Sequence, residues 1–348
     1  MNDRISTVNP IKIKMMSQSD EEALLAFLKD NLKEYERFVR CWEWRKENLP
    51  FSMAEKAVIA VDERLGIAGC VGIAPVEIGF SGKEINASWQ QDSMVSLSVR
   101  GRGIGKKLVI HGSEGFNLSL AKGTSNAMYG LRKALGYKDV SHSNYMIRVC
   151  RSKAIQGSMM KKSLFHVLGL WSILLPFPKI NQKINVHQIN EFDDSFDDLD
   201  AALIDDNTLR PRKGKDYLNW RYTRCPVKQY TILKAGSENA RGAIIVNCIG
   251  PESEEGWIVD MICNNNDRDC AYALIQAAIS YFNDNKVSRI WCFATHPDAR
   301  KWFYRFGFLP TNRSPRFTYL ALDTEVQQRI GLCRWDFWHG DGDIELYQ

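Results

Sequence analysis

The run Arg100-Gly101-Arg102-Gly103-Ile104-Gly105 has the composition of a backbone loop that binds an anion. Glycines lack Cβ atoms, so the chain can close around a ligand and turn its N–H groups inward. A helical pattern follows, and a helix N-terminus adds partial positive charge facing the ligand. Four basic side chains supply full charges suited to phosphate oxygens: Arg100, Arg102, Lys106 and Lys107. The spacing predicts a pyrophosphate loop.

Two other phosphate-binding folds use glycine loops, and the sequence fits neither. A dinucleotide-binding domain carries the loop after its first strand, with an acidic residue about twenty positions later. Here several strand patterns precede Arg100, and the corresponding stretch Thr124–Met128 has no acidic residue. The P-loop requires Gly-x4-Gly-Lys-Ser/Thr, which Gly105-Lys106-Lys107 does not satisfy.

Regular elements must hold this loop in place. Asp92–Val99 alternates as a half-buried strand that ends at the loop, and Lys106–Leu120 predicts the helix after it. A short helix over Asn126–Leu135 and a strand over Tyr145–Val149 close the unit. Upstream, the patterns predict strands and one helix: strands over 11–15, 57–61, 67–78 and 84–89, and a helix around 24–32.

The second half repeats this order. Strands are predicted over 184–189, 230–233, 243–249, 257–263, 289–294 and 317–322, with helices over 270–282 and 297–306. Two local matches support a repeat. Trp44-Arg45-x4-Pro50 recurs as Trp220-Arg221-x4-Pro226, and Leu135-Gly136-Tyr137 recurs as Phe306-Gly307-Phe308. A unit this long implies duplicated domains rather than a solenoid.

At Arg100, Gly103 and Gly105 the sequence resembles the GNAT superfamily of N-acetyltransferases, whose signature is (Q/R)-x-x-G-x-(G/A). Leu135-Gly136-Tyr137 is similar to the family's helix-to-glycine-aromatic element. The superfamily resemblance covers roughly residues 10–150 closely and 184–322 more loosely. Three stretches also resemble GNAT proteins of surface-polysaccharide gene sets: 123–137, 217–226 and 335–344.

The resemblance implies a mixed α/β (α+β) fold of two tandem GNAT-like domains, each a twisted, mixed but mainly antiparallel sheet flanked by helices. The domains are expected at 1–150, binding acyl-CoA, and at 184–348, with a linker holding an apolar segment over 151–183. The second domain is interpreted as degenerate, with a C-terminal tail. Its loop position, Asn264–Asp269, has no glycine and carries two aspartates that would repel phosphate.

The resemblance also implies acetyl-CoA, or a longer acyl-CoA, as donor. The cysteines and histidines have no metal-ligand spacing, so no metal is expected. The pantetheine arm should run beside Met94–Val99, and a backbone N–H near Leu97 or Ser98 should polarise the acyl carbonyl. The predicted binding residues are Leu97, Ser98, Val99, Arg100, Gly101, Arg102, Gly103, Ile104, Gly105, Lys106 and Asn126.

Direct transfer to an amine requires a base for the ammonium and an acid for the thiolate. Asp92 is the candidate base, with a turn-capping carboxylate as the equal alternative. The family's usual acid is a tyrosine four residues before the motif glycine, where this sequence has Arg132. Tyr129, one helical turn earlier, is the substitute candidate, and core packing is its alternative. Arg45 and Arg221 suit either an acidic acceptor or a buried structural pairing.

Composition limits the class of protein. The chain of 348 residues is 45% apolar and 25% charged, with a net charge of +5 from interspersed residues, which does not indicate nucleic-acid binding. Nine cysteines without a CxxC pair predict a reducing, cytoplasmic setting. The uncharged run 163–178 is too short to span a membrane and predicts an inter-domain segment or a membrane-surface contact.

The leading hypothesis is therefore an acyl-CoA-dependent N-acyltransferase acting on a small-molecule amine, such as an amino sugar or a sugar nucleotide. Transfer to a peptide or antibiotic amine is one alternative, and a non-catalytic CoA-binding module is another. The acceptor, the acyl chain length and the oligomeric state stay open at this level.

Overall fold

The structure, a computed structural model, describes residues 11–48, 56–151, 176–181, 183–248 and 254–347. Contacts divide the chain into two compact units, and neither unit is one continuous stretch. The first comprises Met1–Val76, Asn86–Lys138 and Thr318–Gln327, and the second comprises Glu77–Ile85, Asp139–Phe317 and Gln328–Gln348.

The elements up to residue 150 are, in order, β1 (Lys12–Met15), α1 (Glu21–Asn31), α2 (Tyr35–Asn48), β2 (Lys56–Asp62), β3 (Gly66–Phe80), β4 (Lys83–Val95), α3 (Ile104–His111), β5 (Leu118–Ala121), α4 (Asn126–Ala134), β6 (Lys138–Asp139) and β7 (Met146–Val149). Those beyond it are β8 (Val186–Ile189), α5 (Ser195–Ala202), β9 (Thr208–Pro211), α6 (Lys215–Leu218), β10 (Thr231–Ala235), β11 (Gly242–Cys248), β12 (Glu255–Cys263), α7 (Arg268–Asp284), β13 (Arg289–Cys292), α8 (Pro297–Arg305), β14 (Leu309–Pro310), β15 (Thr318–Ala321), α9 (Thr324–Arg329) and β16 (Arg334–Trp335).

The sheet of the first unit has the order β1-β2-β3-β4-β5-β15-β6. Its neighbours pair antiparallel at β1–β2, β2–β3 and β5–β15, whereas β4 and β5 are parallel. Helix α3 packs on this sheet because its apolar side chains fall on one face. Leu108 and Ile104 join a buried cluster with Val58 and Val71 of the strands.

The sheet of the second unit has the order β14-β7-β13-β12-β11-β10-β8, and only β12 and β13 pair parallel along that path. Helix α7 covers one face and buries apolar residues along almost its whole length. Both sheets are mixed, mainly antiparallel and flanked by helices, so the predicted fold class is confirmed.

Each sheet is completed by a strand from the other half of the sequence. Met146–Val149, predicted to close the first unit, pairs instead with β13 and β14 of the second unit. The last predicted strand of the second half, Thr318–Ala321, pairs with β5 of the first unit. A sequence pattern indicates that a strand exists but not which strand it pairs with. The order of the elements along the chain therefore assigned both strands to the wrong sheet. The boundaries 1–150, 151–183 and 184–348 therefore stay a prediction about the sequence repeat.

The strand that leads to the glycine loop differs from its prediction. The two strands expected over 84–89 and 92–99 are one continuous strand, β4, and it ends at Val95. Leu97–Val99 forms a short 3-10 turn, in which the Val99 N–H donates to Ser96 O. The alternation of apolar and polar residues continues past Val95, where the strand ends. The sequence pattern therefore predicted a strand longer than the observed one.

The helix after the loop is also shorter than predicted. α3 ends at His111 rather than near Leu120, and Gly115 adopts a left-handed φ of 83° in the turn that follows. Leu118–Ala121 is strand β5, and all four of its residues are buried. An apolar run that is buried throughout suits a helix and a central strand equally well.

Most of the apolar run 163–178 lies outside the described residues, as does Pro50 of the first Trp-Arg element. Of that run, Phe177 is described and packs on Phe306 of the second unit, with ring centroids 5.5 Å apart. Within the described ranges, no helix is both long enough and apolar enough to cross a membrane.

A buried polar network fixes the C-terminal segment of the second unit. Lys213 Nζ lies 2.7 Å from Asp260 and 2.9 Å from Asp341, and Tyr222 Oη donates to Asp260 over 2.6 Å. Burial alone would lower the pKa of Lys213, but the two carboxylates hold it above its ordinary value. Arg221 pairs with Glu345 at 2.8 Å, which makes it a structural arginine.

Replacing Lys213 with methionine should lower the free energy of unfolding by about 3 to 5 kcal/mol, because two buried carboxylates lose their cation. Lys215→Met is the matched control. Lys215 is 33% exposed and its partner Asp194 is 88% exposed, so solvent screens this pair and the control should cost far less than Lys213→Met. Urea denaturation followed by circular dichroism measures both, and equal losses would contradict the role given to Lys213.

The same network predicts sensitivity to acid. Burial raises the pKa of Glu345, but Arg221 and Lys228 outweigh it and hold the pKa at about 2, below the ordinary value of 4.5. The associated stability is present above pH 4.5 and is lost as the pH falls toward 2, by about 3 kcal/mol. Comparing wild type with Glu345→Gln in urea at several pH values isolates this contribution, since the variant should lack it.

Candidate active site

A cavity of about 710 Å³ lies within the first unit. One wall is the end of β4, from Ser93 to Val95, and a second wall is the glycine loop with the first turn of α3. Leu108 and Val109 of α3 form its inner part. Its remaining lining comes from β3, from α4 and from the residue that caps α4: Cys70, Val71, Ser125, Ala127, Met128 and Leu131.

The cavity exists because β4 and β5 stop pairing. Their parallel ladder runs only from Ala87 with Leu118 to Trp89 with Leu120, and β5 ends at Ala121. β4 continues for six more residues, to Val95. Asp92 has a positive φ of 49°, an uncommon conformation for a non-glycine residue, so the strand is locally distorted there. The freed edge of β4 therefore faces the cavity instead of another strand.

The glycine loop has the backbone its sequence predicts. Gly101 and Gly103 have φ values of 83° and 73°, which glycine adopts without strain, and Gly103 directly precedes α3. A Cβ at either position would meet no protein atom within 4 Å, so open space lies beside the loop backbone. Arg100 and Lys106 line the cavity and are exposed, and among the described residues that line it they are the charged ones.

The structure brings seven of the predicted binding residues to the cavity: Val99, Arg100, Gly101, Gly103, Ile104, Gly105 and Lys106. Leu97, Ser98, Arg102 and Asn126 are not among its lining residues. Leu97 is 76% exposed in the 3-10 turn, beyond the end of the strand. The part of β4 that lines the cavity is Ser93–Val95, whereas the sequence pointed to Leu97 and Ser98.

Asp92 is adjacent to the cavity but does not line it. Its Oδ2 lies 3.5 Å from Nη2 of Arg45, and its backbone oxygen accepts a weak hydrogen bond from the cavity-lining thiol of Cys70 at 3.7 Å. Burial, followed by the charge of Asp92, raises the pKa of Cys70 to about 12. That thiol stays protonated near neutral pH, so it is not an activated nucleophile.

Tyr129 is half-buried on α4 and is not a lining residue, although Met128 and Leu131 on the same helix are. Arg132, at the position of the family's tyrosine, is 1% exposed. Its Nη2 donates to Oε1 and to the backbone oxygen of Gln90, at 3.4 and 3.5 Å. Gln90 directly follows Trp89, the last β4 residue that pairs with β5. Arg132 therefore lies where β4 and β5 separate.

Several lining residues were not anticipated from the sequence. Cys70 and Val71 come from β3, whose apolar run carries no mark of a site. Ala127, Met128 and Leu131 are spaced as neighbours on one helical face, a signal that also describes ordinary core packing. Only the loop carried a chemical signature.

In the second unit, a side chain fills the position at the N-terminus of α7 that corresponds to the glycine loop before α3. Asp267 Oδ1 accepts from the N–H of Cys270 in the first turn of α7, at 3.1 Å. The other oxygen, Oδ2, pairs with Arg241 at 2.7 Å. A carboxylate of the chain itself therefore occupies this helix N-terminus, where the first unit has open glycines.

Comparisons with known proteins identify the fold. No protein-family profile matches the sequence, and no curated protein matches it significantly. Among solved structures, a GCN5-related N-acetyltransferase from Anabaena variabilis is similar, with a TM-score of 0.61 and 12% identity over 90% of this chain and 73% of that one.

Two further solved structures are similar at comparable levels. A probable N-acyltransferase from Enterococcus faecalis has a TM-score of 0.57 and 12% identity, over 90% of this chain and 73% of that one. N-myristoyltransferase from Saccharomyces cerevisiae, solved with myristoyl-CoA, has a TM-score of 0.54 and 10% identity, over 89% and 82%. The chain has the fold of GCN5-related N-acetyltransferases.

Proposed function

We propose that this protein is an acyl-CoA-dependent N-acyltransferase that transfers an acyl group, from acetyl-CoA or another acyl-CoA, directly to an amine. The observation that carries the proposal is the cavity that joins an exposed glycine loop to the distorted end of β4. The fold shared with acetyltransferases and with a myristoyl-CoA-bound enzyme supports the same donor class.

The two parts of the cavity suit the two parts of the donor. The backbone of Gly101–Gly105, with Arg100 and Lys106, offers amides and cations to a pyrophosphate. The apolar side chains of Leu108, Met128 and Leu131 suit the thiol-bearing arm. Leu97, Ser98, Arg102 and Asn126 stay proposed contacts for parts of the donor outside the cavity.

The chemistry balances without a protein nucleophile. The amine nitrogen bonds to the acyl carbon, the carbon–sulfur bond breaks, the amine loses a proton and the thiolate gains one. We propose that backbone N–H groups along Ser93–Val95, which line the cavity, stabilise the carbonyl oxygen. We assign the base role to Asp92 and keep Tyr129 as the proposed acid, with water as the alternative proton donor.

We propose a small-molecule amine as acceptor, an amino sugar or a sugar nucleotide, with a peptide or antibiotic amine as the alternative. The resemblance of residues 123–137 to polysaccharide-associated GNAT proteins supports the first. We also propose that the chain is a tandem duplication in which only the first domain binds acyl-CoA, supported by Asp267 at the α7 N-terminus. All nine cysteines are free thiols, which supports a cytoplasmic setting.

A non-catalytic acyl-CoA-binding module is the second candidate. It is favoured by Arg132, which stands where the family's acid is a tyrosine and which is buried against Gln90. Thiol release from acetyl-CoA in the presence of an amine panel separates the two candidates, because a binding module would release none.

Charge at the loop should control donor binding. Gly103→Asp should weaken acetyl-CoA binding at least tenfold more than Gly103→Asn, because both residues tolerate a left-handed φ and only aspartate repels phosphate. Gly115→Asp is the positional control, since Gly115 is also left-handed with open space around it but lies after α3. Isothermal titration calorimetry reads the affinities. Equal binding by the Asp and Asn variants would refute the pyrophosphate loop.

Binding of the thiol-bearing arm of the donor should be separable from binding of its nucleotide. Ala127→Trp places a large side chain on an exposed lining position of α4, whereas Ala134→Trp makes the same change on an exposed, non-lining position. We expect Ala127→Trp to abolish acetyl-CoA binding but to retain 3′-phospho-ADP, which lacks the arm. Retention of acetyl-CoA by Ala127→Trp, or its loss in Ala134→Trp, would remove the cavity from the proposal.

A further inference from the structure

Arg45 occupies an unusual place on its helix. The buried stripe of α2 runs through Phe38, Cys41 and Trp42, and Arg45 continues it at helical spacing with an exposure of only 3%. A charge placed on an apolar stripe is costly unless an opposite charge meets it. Asp92 provides that charge, with its Oδ2 at 3.5 Å from Nη2 of Arg45.

The second unit contains the same arrangement in a closed form. Asp260 stands three residues before the end of β12, as Asp92 stands three residues before the end of β4. Its strand is also irregular there, with a register shift opposite Ile245. The second Trp-Arg segment reaches this aspartate through Tyr222, which follows Arg221 in sequence. The contact between a Trp-Arg segment and a strand aspartate is therefore repeated.

The two aspartates differ in access. Asp260 has no exposed surface, and Lys213 and Tyr222 both bond its carboxylate. Asp92 keeps a side-chain exposure of 13%. It also lies beside two cavity-lining residues: Ser93 follows it in the sequence, and the Cys70 thiol contacts its backbone oxygen. The Asp92 carboxylate in the first unit is therefore partly accessible to solvent, whereas the Asp260 carboxylate in the second unit is fully buried.

We infer that Arg45 is a positioning residue that holds the Asp92 carboxylate ionised and aimed at the acceptor amine. This inference rests on the proposed function and deepens it, because it assigns the acceptor a cationic ammonium at the β4 distortion. Asp92 takes one proton from that ammonium. The freed amine forms its bond to the acyl carbon, the carbon–sulfur bond breaks, the nitrogen releases its second proton to solvent, and the thiolate takes one proton from Tyr129 or water.

Two ionisable side chains contact Asp92: Arg45 of α2 through its guanidinium and Cys70 of β3 through its thiol. The pKa of Cys70, raised to about 12, keeps that thiol neutral over the working range. A pH response below pH 8 that is present in wild type and absent in Asp92→Asn therefore reports on the Asp92 carboxylate and not on the Cys70 thiol. Removing an opposite charge at this distance raises the pKa of a carboxyl by about one to three units.

The test compares Arg45→Gln, Arg45→Lys and Asp92→Asn with wild type, after acetyl-CoA binding has been confirmed for each. Release of free thiol is followed from pH 4 to 9 with glucosamine, lysine amide and an alanyl-alanine dipeptide as amine probes. Arg45→Gln should move the acid limb of kcat/KM upward by about one to three pH units, and Arg45→Lys should restore it. Asp92→Asn should lower kcat/KM by about a hundredfold or more, and its pH profile should show no acid limb.

Arg221→Gln is the matched control, because it changes the same residue of the second Trp-Arg element. It should destabilise the protein, as Glu345 loses its partner, but should leave the acid limb unmoved. A second readout does not depend on the Arg45 variants folding. In carbon-13 spectra of wild type labelled at aspartate carboxyls, the signal missing in Asp92→Asn should titrate below the ordinary value of about 4.

The outcomes separate this inference from the proposed function. A rate loss in Arg45→Gln without a shift of the acid limb, or an Asp92 signal titrating at or above about 4, overturns the positioning role and leaves the function standing. Wild type that binds acetyl-CoA and acylates no amine overturns the inference and favours the binding module. Wild type that binds no acetyl-CoA overturns the proposed function, and this inference with it.

Discussion

The early end of pairing between β4 and β5 is the constraint on which the site depends. Two parallel strands that stay in register would bury their N–H and C=O groups against each other and leave no room for a ligand. Here the ladder ends at Trp89 and Leu120, and β4 continues without β5 to Val95. Backbone groups along that edge need polar partners, because buried backbone groups are costly when unsatisfied. The protein supplies two of them, since Arg132 donates to the Gln90 oxygen and Arg100 to the Val95 oxygen, and the glycine loop follows soon after the end of the same strand.

Burial of charge distinguishes the two units more clearly than backbone shape does. In the second unit Lys213 pairs with both Asp260 and Asp341 out of contact with water, and Asp267 caps the N-terminus of α7. In the first unit the loop cations are exposed and the strand aspartate keeps part of its surface. Closing polar groups against each other stabilises a domain and removes the means of binding a charged ligand. The same scaffold can therefore serve stability or chemistry.

The sequence predicted what local chemistry determines. Glycine spacing located the loop, because left-handed φ values at Gly101 and Gly103 leave few residue types acceptable. Periodicity predicted α4 and most strands to within a few residues. It failed where burial is complete, as at Leu118–Ala121, and where alternation outlasts pairing, as at Leu97–Val99. Cys70, Val71 and Arg132 were beyond reach, because their roles come from tertiary neighbours that no local pattern encodes.

The exchanged strands set the order in which this protein can fold during synthesis. β5 presents an open edge until Thr318–Ala321 has emerged, nearly two hundred residues later in the chain. An unpaired strand edge is a template for wrong partners, so the first sheet stays vulnerable for most of translation. β7 waits likewise for Arg289–Cys292. Neither sheet can be completed from its own half of the gene, and a fragment ending at residue 150 would lack a strand of its sheet and carry one that belongs elsewhere.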